Sequence, residues 1–375
     1  MEKTKISAIQ LFAMMFMFEL GSALVVSHGV TAKKDAWLAI LLGLCGGIVL
    51  FFIYYALFRQ YPNLPLTRYV RKIFGKYLGW VIGLLYTVYW LYAAARILRD
   101  FGDLLLSSTL RKTPLLAINI LLVLAICYVL YLGVEVLGRT AEVFIVVLIL
   151  LGFTGNFLVF VSGNVDPHNL QPFLENGWKP ILTTAFPLTT FFPFGEALVF
   201  TMLLPYLNRP ELVKKVWLSV LISSGFILSY TISLDIVVLG VEKVERATFP
   251  LLSTIGTVNL MEFLQRLDAI VVFTFLITMF FKASIFLYGA VIGIVDLFKL
   301  KNHQQIVLPM GIIVLFLSMV IASNFAEHIE EGLGITTIMY PLHLPFIVII
   351  PLFMLLATII RNRFKKKDRS KSNAT

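Results

Sequence analysis

Ten stretches of about 20 or more apolar residues follow one another along the chain, at approximately 7–29, 37–58, 77–98, 115–133, 140–162, 179–207, 213–240, 267–298, 304–323 and 338–360. A helix of that length crosses the ~30 Å hydrocarbon core of a bilayer, whose interior demands that backbone groups be satisfied within the segment. Composition agrees. Apolar residues make up 59% and charged residues 14% of the 375, against about 45–50% and about 25% in soluble domains. With a mean hydropathy of +0.90 there is too little polar surface for a soluble enzyme and too much apolar surface for a disordered chain. The expectation is an all-α membrane protein of ten transmembrane helices. Residues 1–360 form one bundle and residues 361–375 a basic tail. The first run lacks a small-residue cleavage pattern and reads as a retained span.

An even number of spans puts both termini on one side, and the Lys/Arg bias chooses it. With the termini inside, the cytoplasmic segments hold 20 basic residues and the opposite side 9. Both termini are therefore expected in the cytoplasm. The discordant piece is the basic segment with Arg96, Arg99, Arg111 and Lys112, assigned outside. The net charge of +10 draws much on Arg361 to Lys371, directly after an apolar run, which is an orientation signal in contact with acidic headgroups of the bilayer. Nucleic acid is not an expected partner. Cys45 and Cys127 sit in apolar runs and read as buried hydrophobes, and the five histidines show no ligand spacing. No metal, cofactor or catalytic set is expected.

Between spans, Leu66 to Lys76 places Leu66, Tyr69, Val70, Ile73 and Phe74 opposite Arg68, Arg71 and Lys72, the pattern of a helix on the inner membrane surface. The segment 163–178 carries turn chemistry, and Pro341, Pro345 and Pro351 are expected to bend the last span.

Two spans carry an interruption. Residues 18–25 read FELGSALV and residues 192–199 read FPFGEALV, five of eight positions agreeing at an offset of 174. They fall in the first and sixth runs, the matching members of a five-plus-five repeat, 7–162 and 179–360. Five is odd, so the second repeat enters from the opposite side and the repeat is inverted. Gly21, Gly195 and Pro193 disfavour helix, with Pro187 a turn or so earlier. Such breaks are either simple kinks or half-helix ends that meet at the midplane and bind a small polar ligand.

Charges in hydrocarbon are functional or paired. Glu19 and Glu196 flank the two breaks, and Lys282 lies at the centre of span eight. Asp268 is 14 residues away, about 21 Å along a helix, so Lys282 needs a partner from another span, either Glu19 or Glu196. Asp268 and Arg266 mark one end of span eight and Asp296 the other. Tyr86, Tyr89 and Trp90 share a face of span three, as packing or as ligand lining. The candidate ligand-binding set is Gly21, Ser22, Phe192, Phe194, Gly195, Glu196, Lys282 and Tyr89.

Three of these features together, Gly21-Ser22-Ala-Leu, Pro193-Phe194-Gly195-Glu196, and Arg266-Leu-Asp268 followed by Phe281-Lys282-Ala-Ser284, resemble the spore germination permease family, the B subunits of nutrient germinant receptors. Glu19 departs from the neutral residue that the resemblance implies at its position. The resemblance covers nearly the whole chain and implies the leucine-transporter-type fold of the amino acid–polyamine–organocation superfamily. It also implies a small-molecule germinant, an amino acid or a sugar, and a complex with an A-type membrane subunit and a C-type lipoprotein subunit in the spore inner membrane. The rival on the same fold is a proton- or sodium-coupled amino acid transporter.

Overall fold

The computed structural model describes residues 5–26, 29–258 and 267–372, and among them the secondary structure is helical apart from one isolated bridge. In chain order the α-helices are α1 (Ala8–Val25), α2 (Ala36–Gln60), α3 (Leu66–Phe74), α4 (Lys76–Ser108), α5 (Leu115–Leu132), α6 (Val134–Val161) and α7 (Trp178–Thr183). The second half supplies α8 (Val213–Leu239), α9 (Val241–Arg246), α10 (Pro250–Gly256), α11 (Asp268–Phe298), α12 (Gln304–Val320), α13 (Phe325–Leu333) and α14 (Ile350–Ser372). Eight helical stretches among the described residues are long and apolar enough to cross a membrane. A ninth is counted if α12 and α13, bent by 102°, form one span, and Ala8–Leu24 is a shorter apolar helix. Length and composition therefore do not fix the number at ten.

The two predicted breaks are present. α1 opens on a capping box between Ser7 and Gln10 and loses helical geometry at Gly21, where φ is 8° and ψ −128°. Span six is more broken. α7 passes into a wide turn over Thr184–Thr189 with Phe186 extended, and beyond Pro193 a tighter 3₁₀ segment runs over Phe194–Met202. Prolines 187 and 193 remove two backbone donors, so a regular helix cannot form there. Three glycines of α2 admit the broken span at close range: a methyl group at Gly43, Gly46 or Gly47 would strike Thr189, Thr190 or Phe194. The start of α1 is tied to the end of span six, Ile6 N–H donating to Tyr206 O (2.9 Å) and Asn208 N–H to Ile6 O (3.0 Å).

Several expectations need correction. Arg96 and Arg99 are not loop residues, because α4 continues to Ser108 and takes them into the bundle. Arg99 donates to Asp103 at 2.6 Å, four residues on, and to Ala322 O at 3.2 Å. Two of the four charges of the discordant basic segment thus belong to α4, Arg99 in an ion pair with Asp103 and Arg96 donating to a backbone carbonyl. Cys45 is exposed on α2, whereas Cys127 is buried. α3 does more than lie on a membrane surface. It caps the end of the bundle, with Thr67, Arg68 and Arg71 gripping the buried carboxylate of Asp296 at the end of α11. Residues 163–178 are the expected turn-rich connection, and Ile335–His343 and Pro345–Ile349 are wide turns around Pro341 and Pro345. Arg266 lies outside the described residues.

Candidate functional site

Lys282 sits in the middle of α11, fully buried, and its Nζ lies 2.7 Å from Glu196 Oε2 on the 3₁₀ segment of span six. The ammonium also stands over the rings of Phe192 (4.4 Å to the centroid) and Phe18 (5.1 Å). A cation stripped of water is held here by one carboxylate and two aromatic faces. The break at Gly21 makes room for it, since a methyl group there would collide with the aliphatic stem of Lys282. Glycine is required at 21 by this close approach. Glu19, two residues earlier, is fully buried as well.

Beside the pair is a small cavity of about 50 Å³. Ser22, Phe192 and Glu196 line it from the two broken spans, Tyr92, Arg96 and Asp100 from α4, and His343 from the wide turn before α14. A larger vestibule of about 690 Å³ lies beyond. The two share Val26, Ile329 and Leu333 in their walls, so α13 separates them as a lid. The lid is fastened to α4. His328 Nε2 and Asp100 Oδ1 are 2.7 Å apart, and the Arg96 guanidinium donates to His328 O. Asn324 caps α13, accepting from Glu327 N–H at 3.0 Å.

The predicted residues divide. Gly21, Ser22, Phe192, Glu196 and Lys282 converge on the pair and the cavity. Gly195 and Phe194 face away from it. Gly195 packs against Ile347 and Leu50, with its carbonyl beside Tyr54 Oη (3.3 Å), and Phe194 lies against Gly47. Tyr89 is one shell removed from the cavity, its hydroxyl 2.8 Å from His343 Nδ1 and its ring stacked on Phe346 at 4.8 Å.

Sequence reasoning missed Arg96, Asp100, His328 and His343. The available signal was the pair of four-residue spacings, Arg96–Asp100 and Arg99–Asp103, which reads as one face of a helix continuing past the apolar run. Among the described residues no group of three or more His, Cys, Asp or Glu is placed to hold a metal ion. What the arrangement provides is a small cavity between two interrupted helices, lined by both polar and apolar side chains, with an ion pair at its floor and α13 over it.

Two interrupted helices around a buried ion pair, among long apolar helices, define an integral membrane protein of transporter architecture. Solved structures with this fold include MHP1, a nucleobase-cation-symport-1 family transporter in a closed conformation with bromovinylhydantoin bound. It shares 15% identity with a TM-score of 0.64, over 88% of this chain and 75% of that one. MhsT in complex with L-phenylalanine has 14% identity and a TM-score of 0.62, over 92% and 89%. The fold is thus the leucine-transporter type. The chain belongs to the spore germination protein family, whose model matches residues 5–326. It is 43% identical to spore germination protein KB of Bacillus subtilis (strain 168) over 99% of this chain and 98% of the relative. It is 27% identical to spore germination protein A2 of the same organism over 80% and 82%.

Proposed function

We propose that this chain is the integral-membrane subunit of a spore nutrient germinant receptor, which binds a small germinant, an amino acid or a sugar, in the cavity above Lys282 and Glu196. The observation that carries the reading is the Lys282–Glu196 pair at the floor of a small cavity between two broken spans, in a chain of this family. Ser22, Phe192 and Glu196 touch the ligand, while Gly21 and Lys282 set the shape and charge beneath it. Gly195, Phe194 and Tyr89 support that wall by packing. The chain is one bundle of two inverted repeats, about 7–162 and 179–360, with both termini in the cytoplasm, so α13 faces the outside of the spore inner membrane. It works with an A-type membrane subunit and a C-type lipoprotein. The vestibule is the entry path, and occupancy of the cavity is signalled to the partner subunits through the lid and the broken spans.

The test is a germination assay. Spores lacking this chain are exposed to a panel of amino acids and sugars, and a response that disappears and returns on complementation identifies the germinant. A full response to every compound without the chain contradicts the reading. The transporter fold favours one second reading, coupled uptake. Saturable, gradient-driven accumulation of the same compound in proteoliposomes of the chain alone would establish it.

A further inference from the structure

Glu19 is the one buried carboxylate at this site that the ligand reading leaves without a task. It sits on α1 just before the break at Gly21, fully buried, and neither carboxylate oxygen has a hydrogen-bond partner. It lies within electrostatic reach of both Lys282 and Glu196. Those two already contact each other at 2.7 Å. Were all three groups charged, two carboxylates would share one cation in a place without water, and the one lacking any donor would bear a bare charge. Burying a charge in that way is heavily unfavourable.

We propose that Glu19 is a proton-binding site, carrying a proton in the closed state and electrostatically linked to the Lys282–Glu196 pair. The cavity of about 50 Å³ is walled by Ser22 and Glu196 but not by Glu19, and a proton needs no cavity. The elements packed on α1 bring few other ionisable groups to it. α6 carries Glu135, Arg139 and Glu142, of which Glu142 accepts from Gln10 towards the start of α1 and Glu135 pairs with Arg139. α8 carries Lys214, Lys215, Tyr230 and Asp235, the last accepting from Thr254 on α10 at 2.6 Å. α11 adds Asp268, Tyr288 and Asp296 besides Lys282, Tyr288 packing on Tyr206 and Asp296 being gripped from α3, and span six adds Glu196. The site therefore balances one lysine cation and one proton against two carboxylates. An event that draws Lys282 away from Glu196 changes which carboxylate holds the proton.

The experiment uses the full-length protein in detergent at neutral pH and needs no ligand. Infrared spectra of parent, E19Q, D235N and E196Q are compared in the carboxyl region, and their melting temperatures are recorded. The expected result is a protonated-carboxyl band that is lost in E19Q and retained in D235N. E19Q should melt close to the parent, because an amide has the shape and neutrality of the protonated acid, whereas E196Q should melt well below it. E19M is the second neutral variant, with the same expected loss of the band. Loss of only an ionised-carboxylate band in E19Q overturns the proposal. So does destabilisation as large as that of E196Q, or failure of both neutral variants to accumulate.

Discussion

Asp100 of α4 and His328 of α13 meet at 2.7 Å in the interior, 228 residues apart in the chain, and this contact fastens the lid over the candidate site. Arg96 reinforces it through His328 O, and Gly332 lets the guanidinium pass, since a methyl group there would strike it. A hydrogen bond to a charged group contributes about 1.5–3 kcal/mol, enough to hold a two-state lid shut at least tenfold more often. H328L, which has no donor for Asp100, should therefore open the lid. With Cys45 replaced by serine, S22C should react with a membrane-impermeant thiol reagent about tenfold or more faster in the H328L background. Equal rates would mean that the contact does not control access to Ser22.

Gly21→Ala tests the close approach of α1 and α11. The added methyl group would meet the stem of Lys282, so that the lysine side chain or one of the two helices has to shift. Overpacking of this kind costs about 1–3 kcal/mol. The expected outcome is a lower melting temperature together with a weakened germinant response. K282A in the same chain should relieve part of the clash, so the double variant should lose less stability than the sum of the singles. Additive losses would place the two residues out of contact.

At the opposite end of the bundle, Asp296 is buried and held by Thr67, Arg68 and Arg71. Removing its carboxylate strands Arg71, which is only partly exposed, and unties α3 from α11. D296A should cost about 1–3 kcal/mol, less than for a fully buried pair because Arg68 and Arg71 keep some contact with water, and D296N less because Thr67 keeps a partner. Chemical denaturation of the detergent-solubilised protein measures both. Loss of less than about 0.5 kcal/mol in D296A would show that α3 is held by its apolar face alone.

A smaller pH effect is expected at the loop between the repeats. Lys34 donates to Glu175 at 2.7 Å and to Gln171 O at 2.8 Å, and the bond and charge of the lysine hold the Glu175 carboxyl below the usual glutamate range. A depressed carboxyl stabilises the fold above its unfolded-state value, about 4.3, and that contribution is lost as pH falls through the folded one. The pair is solvent-exposed and its effect modest. E175Q should therefore melt slightly below the parent at pH 7, with the difference vanishing under acid conditions. A difference that grew on acidification would reverse the assignment.

Much of the membrane architecture was readable because hydrocarbon imposes one rule, a run of apolar residues for each crossing. The breaks were readable as well, through Gly21 and Pro193, since backbone chemistry is local. Lys282 and Glu196 could be singled out as rare charges at mid-membrane depth, but choosing between Glu19 and Glu196 needed the packing of span six on α11. The lid escaped notice for a related reason. α13 has only nine residues, and His328 and His343 acquire meaning from Asp100 and Tyr89 on α4, far away in sequence. Asp100 lies beyond the apolar run 77–98, which ends ten residues before the helix does.

The most direct test of the central claim removes the ion pair without leaving an orphan charge. E196Q or K282M alone strands its partner and should lower stability by about 3–5 kcal/mol, so neither separates folding from response. The double variant K282M/E196Q avoids that penalty and should accumulate in spore membranes nearly as the parent does. The measurement is its germination dose–response, with abundance determined in the same membranes. If the pair forms the floor of the ligand site, the double variant is present at normal levels and its response is lost or shifted at least tenfold to higher germinant concentration. A dose–response curve that superimposes on the parent's at normal abundance would contradict the assignment of the site.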